Sequence, residues 1–171
     1  MSPPDERLIE ATFRWMGPGM PATDYDRACD VEGYLGLLDI GAGQGLVLGD
    51  EPDSTAWQSF GTSGDREEVT GGILIRWVYA NSEADVMAAV DHLPASMWVD
   101  DGLEFSVGRE PLYLLDAACD ASCLDDDDHL TIYLPSGRYT LATADFEFEV
   151  HTRLLLHRLV WMSGGTDSDI P

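Results

Sequence analysis

Lysine is missing from this chain altogether. All nine basic residues are arginine, set against 32 acids, and the formal net charge is −23 over 171 residues. A field of that sign repels nucleic-acid phosphates and anionic membranes, which excludes both as partners, and it steers a basic protein toward the surface. The same excess arises in any protein of a salt-adapted or GC-rich genome, so acidity agrees with a binding role without establishing one. Cysteine is scarce. Cys29, Cys119 and Cys123 are an odd number with no second pair downstream, which excludes a disulfide framework and the four-ligand pattern of structural zinc. Long apolar runs are missing too: Leu154-Leu155-Leu156 falls far short of the ~20 residues a spanning helix needs. The start, Met1-Ser2-Pro3-Pro4-Asp5-Glu6-Arg7, lacks the basic opening and apolar stretch of a signal peptide, so the expected compartment is the cytoplasm, with reduced thiols.

What is present reads as one domain large enough to bury a core without staples. Residues 1–6 and 163–171 are polar or rich in Gly and Pro and are expected to be flexible, leaving a single domain over 7–162. Short apolar runs cut by Gly, Pro and Asp predict strands at 46–48, 72–79, 103–107 and 112–115, and 154–162 reads as a closing strand or a short helix. Leu130 to Leu134 and Tyr139 to Thr143 flank Pro135-Ser136-Gly137-Arg138, a tight-reversal sequence that predicts a hairpin. Phe146, Phe148 and Val150 alternate with Glu147 and Glu149, as in a half-buried strand. One helix stands out: Ser82 caps it with Asp85 three residues on, Val86, Ala89, Val90 and Leu93 share a face, and Pro94 stops it. The fold class is α+β, mostly β, with antiparallel strands in a sandwich or a single curved sheet and one or two helices.

Several motifs invite chemistry. Leu38-Asp39-Ile40-Gly41-Ala42-Gly43-Gln44-Gly45 matches the cofactor loop of S-adenosylmethionine-dependent methyltransferases, a small-molecule enzyme reading in which Asp39, Gly41, Gly43 and Gly45 would cradle the cofactor. That loop needs a helix directly after its third glycine, yet Gly49 and Pro52 would break one within two turns. Glycines in a strand-turn-strand hairpin explain it as well. Cys119 and Cys123 with His129 lack metal-ligand spacing. Asp125-Asp126-Asp127-Asp128 has neither the alternate ligands nor the central Gly of a calcium loop and reads as a solvated acidic turn. None of His92, His129, His151 and His157 lies near a recognisable nucleophile. No metal, cofactor or catalytic residue is therefore assigned. Trp57, within a polar segment, reads either as core or as an exposed aromatic anchor among acids.

Asp24-Tyr25-Asp26-Arg27-Ala28-Cys29, Gly33-Tyr34-Leu35-Gly36, the run from Gly43 to Pro52, Arg76-Trp77-Val78-Tyr79-Ala80 and Leu134 to Tyr139, in that order and spacing, resemble the immunity protein 21 family of bacterial polymorphic toxin systems. The resemblance spans about residues 24–143. It implies a cytoplasmic, non-enzymatic antidote that binds a co-encoded toxin, and it turns the glycine loop into a structural feature. A toxin-binding face would draw on acids and exposed aromatics. The candidates are Asp24, Tyr25, Asp26, Asp50, Glu51, Trp57, Asp125, Asp126, Asp127 and Asp128, facing a partner of basic character. A β-rich accessory domain whose charge reflects only its proteome is the third reading.

Overall fold

A computed structural model of the chain describes residues 23–41, 43–49, 54–61, 69–115 and 129–162. The terminal segments 1–6 and 163–171 lie outside the described residues. The described elements are nine strands and two α-helices, which is the mostly β, α+β class expected. No helix among them is long and apolar enough to cross a membrane. The chain forms two compact units, Met1–Asp50 with Tyr113–Thr131, and Glu51–Leu112 with Ile132–Pro171.

The described part of the first unit starts with α1, Asp24–Cys29, capped by Thr23. Next come β1, Leu35–Ile40, and β2, Gly43–Leu48, an antiparallel pair in which Ile40 faces Gly43 and Leu38 faces Gly45. Gly41 turns the chain at φ +58°, in the left-handed region that a side chain resists and a two-residue hairpin loop requires. The glycine-rich segment is thus the hairpin, and the residues after Gly45 continue as strand where a methyltransferase needs a helix. Gly49 N donates to Tyr34 O at 2.7 Å and closes the open end. The β6 strand, Leu112–Leu115, and the β7 strand, His129–Ile132, form a second two-stranded piece, where the rings of Tyr113 and His129 meet edge-on at 5.4 Å.

The second unit holds β3, Ser54–Phe60; β4, Gly71–Tyr79; α2, Glu83–His92; β5, Val99–Val107; β8, Gly137–Phe148; and β9, Thr152–Trp161. The strands make one antiparallel sheet in the order β3-β4-β9-β8-β5. Ser82 caps α2 by accepting from Asp85 N at 3.2 Å, and its hydroxyl donates to the Asp85 carboxylate at 2.8 Å. Val86 and Ala89 then face Ile75, Ala144, Leu154 and Leu156 of the sheet. Each large aliphatic side chain so buried is worth about 1.5–3 kcal/mol. Period-two alternation places Leu74, Leu141, Leu155 and Leu159 on the other face, where they are also buried. Hence β4 and β9 read as nearly continuous apolar runs.

Three expectations change. Residues 130–134 and 139–143 do not form a hairpin: β7 pairs with β6, while β8 lies between β5 and β9. The Pro135-Ser136-Gly137 reversal is real, held where Tyr139 Oη donates to Pro135 O at 2.7 Å, but a local turn signal does not choose a strand's partner. Val150 leaves the alternation. It sits in the β8–β9 turn, 78% exposed, beside Glu149 at φ +53°. Finally, β3 forms in the polar segment around Trp57, to which no strand had been assigned.

Candidate functional site

Among the described residues most of the arginines are committed to neighbours, so their charge lies beside acids or an aromatic ring. Among the described residues Arg27 pairs with Asp24 at 2.7 Å, Arg153 grips Asp145 through two bonds of 2.9 and 2.7 Å, and Arg138 pairs with Glu104. Arg158 lies 4.5 Å above the Trp98 ring, and Arg76 is buried on the sheet. Among the described residues Arg109 is the one exposed arginine outside these ion pairs and ring contacts. Asp30, Glu32, Asp39, Glu83, Asp91, Asp100, Glu110 and Glu149 are exposed carboxylates. Exposed ion pairs of this kind contribute little stability. Each pair cancels one acid with one arginine, so the field an approaching protein meets is set by the net charge of −23.

The sequence-chosen contact residues fall into three groups. In α1, Asp26 is half-buried and builds the helix start. Its carboxylate accepts from Thr23 N and from the Thr23 hydroxyl, each at 2.8 Å, and its own N–H donates to Thr23 Oγ1 at 3.1 Å. The bond from the Thr23 backbone, then that from its hydroxyl, hold the Asp26 carboxyl below the usual carboxylate range. Asp24 is tied to Arg27, which also donates to Asp39 O at 2.8 Å, and Tyr25 is half-buried. This cluster therefore shapes the helix besides displaying charge. Trp57, on β3, is half-buried, and a Cβ placed on Gly72 would overlap its ring. The tryptophan rests across the neighbouring strand, between the core and exposed readings. Asp50, Glu51 and Asp125 to Asp128 lie outside the described residues, as do Cys119 and Cys123.

Sequence reasoning missed a polar chain inside the second unit. His157 on β9 is fully buried. Its Nδ1 lies 3.2 Å from Thr143 Oγ1, and that hydroxyl donates to Asp101 Oδ2 at 2.7 Å. The single hydroxyl proton is used on the carboxylate, so Oγ1 accepts from the ring and the neutral imidazole carries its proton on Nδ1. Burial, and then the charge of buried Arg76, push His157 down to about 4. This is not the order of a nucleophilic triad, in which the base takes the hydroxyl proton and a carboxylate orients the base. The three residues are separated by 42 and 14 positions, and the only trace in sequence was an uncommitted His and Arg76 within apolar strands. Among the described residues no group of three or more His, Cys, Asp or Glu side chains is placed to hold a metal ion.

Fold and surface together define a small antiparallel α+β protein that presents carboxylates and aromatic side chains to its surroundings. Residues 9–152 match the family model of immunity protein 21, and the chain belongs to that family. Membership points to an immunity function. No curated protein and no solved structure matches the chain.

Proposed function

We propose that this protein neutralises a cognate bacterial toxin in the cytoplasm by binding it and occluding its active or target-binding surface, without catalysing a reaction. The match of the immunity protein 21 family over residues 9–152 carries the reading. The net charge of −23 supports a toxin of basic surface, such as one that itself approaches an anionic target. Contact residues proposed on this basis are Asp24, Tyr25 and Trp57 among the described residues, with Asp26 acting mainly through the helix start. Asp50, Glu51 and Asp125 to Asp128 join them on sequence grounds.

The test is co-expression with the toxin encoded beside this chain, scored by host growth and by recovery of a one-to-one complex on a tag. Rescue together with a stable complex supports the reading; neither rescue nor complex removes it. Steered association should slow at least about tenfold between low and physiological ionic strength, where screening shortens the reach of the field. A salt-independent on-rate would leave immunity standing and remove the acidic-surface account.

A further inference from the structure

The two edges of the five-stranded sheet are built differently. On one side, β5 carries Asp100, Asp101 and Glu104, and its register with β8 breaks between Asp100 and Glu104. Gly102 sits in that break at φ +66°, its N–H donating to Asp100 Oδ1 at 2.9 Å. Charges and a bulge are the devices by which natural sheets keep an edge from pairing with another chain.

On the other side, β3 has neither. Ser54-Thr55-Ala56-Trp57-Gln58-Ser59-Phe60 contains no charge and no proline, and it pairs with β4 in unbroken register from Ser54↔Trp77 to Phe60↔Gly71. Among the described residues no second strand pairs with it; the one further backbone bond runs from Thr70 N to Phe60 O at the strand end. Its large side chains do not fence the edge either. A Cβ on Gly72 would overlap the Trp57 ring, and one on Gly71 would come within 3.2 Å of the Phe60 ring. The adjacent glycines of β4 let one aromatic on each face lean inward over the sheet.

We propose that the toxin adds a strand to the outer edge of β3, an inference that rests on the immunity reading above. In an antiparallel sheet every second residue of an edge strand turns its N–H and C=O outward. The seven residues of β3 thus offer a short ladder of donors and acceptors that any extended segment can complete, the mode called β-strand addition. The occupant is a protein of basic surface rather than a second copy of this chain. Two copies would bring together −23 and −23, whereas a basic partner is drawn in by the same field.

The experiment follows amide hydrogen exchange of the full-length protein by NMR, alone and with the co-encoded toxin. Strand addition slows exchange at alternate β3 amides, while the intervening ones, already bonded to β4, change little. Because inward and outward N–H groups alternate, one of Gln58→Pro and Ser59→Pro removes a ladder bond and the other only an outward donor. The variant that keeps its melting temperature should weaken the complex by at least about tenfold, the loss of one or two net hydrogen bonds. A complex that forms and neutralises the toxin with β3 exchange unchanged overturns this inference and leaves the immunity reading intact. Alternate protection that appears without toxin, together with dimer sedimentation, overturns it in favour of self-pairing. Absence of any complex overturns both.

Discussion

Lowering the pH from 7 to 4 charges His157 in the unfolded chain well before it does so in the folded protein. The unfolded imidazole titrates near 6.5, whereas burial and the neighbouring Arg76 hold the folded group at about 4. Between those values the unfolded state binds the extra proton, so stability rises with pH across the window and is lost as pH falls through it. A separation of roughly 2.5 pH units corresponds to about 3 kcal/mol, present in full above pH ~6.5 and gone by pH ~4. Other groups titrate here as well. Asp145, held low first by its bond from Arg153, adds to acid destabilisation, while protonation of many surface acids relieves repulsion in a chain of −23. A variant subtracts these terms. His157→Asn keeps an amide donor near the position of Nδ1 and removes the titration. Urea denaturation of both proteins at constant ionic strength, at pH 7, 6, 5 and 4, gives the result. The wild-type advantage should shrink by about 3 kcal/mol from pH 7 to 4. Parallel stability profiles would refute the argument and place the imidazole in contact with water.

Thr143→Val should cost about 1–3 kcal/mol by urea denaturation at pH 7, since it preserves shape but leaves His157 Nδ1 and the Asp101 carboxylate without their shared hydroxyl; a neutral result would show the chain to be dispensable. Gly72→Ala should destabilise by about 1–3 kcal/mol through overlap with the Trp57 ring. The cost should fall measurably in a Trp57→Leu background, and full additivity in that double-mutant cycle would separate the two residues. Thr23→Ala should cost about 1 kcal/mol and speed exchange in the first turn of α1, because it removes the hydroxyl that accepts from Asp26 N and donates to the Asp26 carboxylate, while the backbone N–H of residue 23 still donates to that carboxylate. Unchanged exchange there would mean the box contributes nothing.

Where local chemistry and tertiary structure agree, the sequence was readable. Gly72 to Tyr79 is rich in β-branched and aromatic residues, and it forms β4; Ser82, the apolar spacing from Val86 and the stop at Pro94 bound α2 to within a residue. The failures share one cause. The residues of β3 pass for a polar loop, and their extended conformation is set by pairing with β4 and by glycines that receive their aromatics. Pro135 to Gly137 announces a turn, yet the turn leads out of one sheet piece and into another. Glu147-Phe148-Glu149-Val150 keeps its alternation past the strand end, and only the left-handed Glu149 marks the reversal. At the surface, acidity was visible from composition, but the double duty of Asp26 was not extracted, although Thr23 and Asp26 stand at capping-box spacing. The His157 chain left only the trace of a His and an Arg within apolar strands, because its members meet only across β5, β8 and β9.

Charge and edge divide the work of recognition in a way that experiment can separate. A field spread over many exposed carboxylates acts before contact: it raises the encounter rate with a basic protein and decays with salt, and it is insensitive to any single acid. Reversal of one carboxylate, Asp24 for example, should therefore change the on-rate only modestly. The β3 edge acts after contact and carries no charge, so whatever it contributes resides in backbone hydrogen bonds and appears in the off-rate, nearly independent of salt. An outward-donor proline in β3 that speeds dissociation equally at low and high ionic strength, while leaving association and its salt dependence alone, would assign steering and holding to different parts of the molecule. The same variant slowing association instead would place the rate-determining step at the edge and require the acidic surface to act through it.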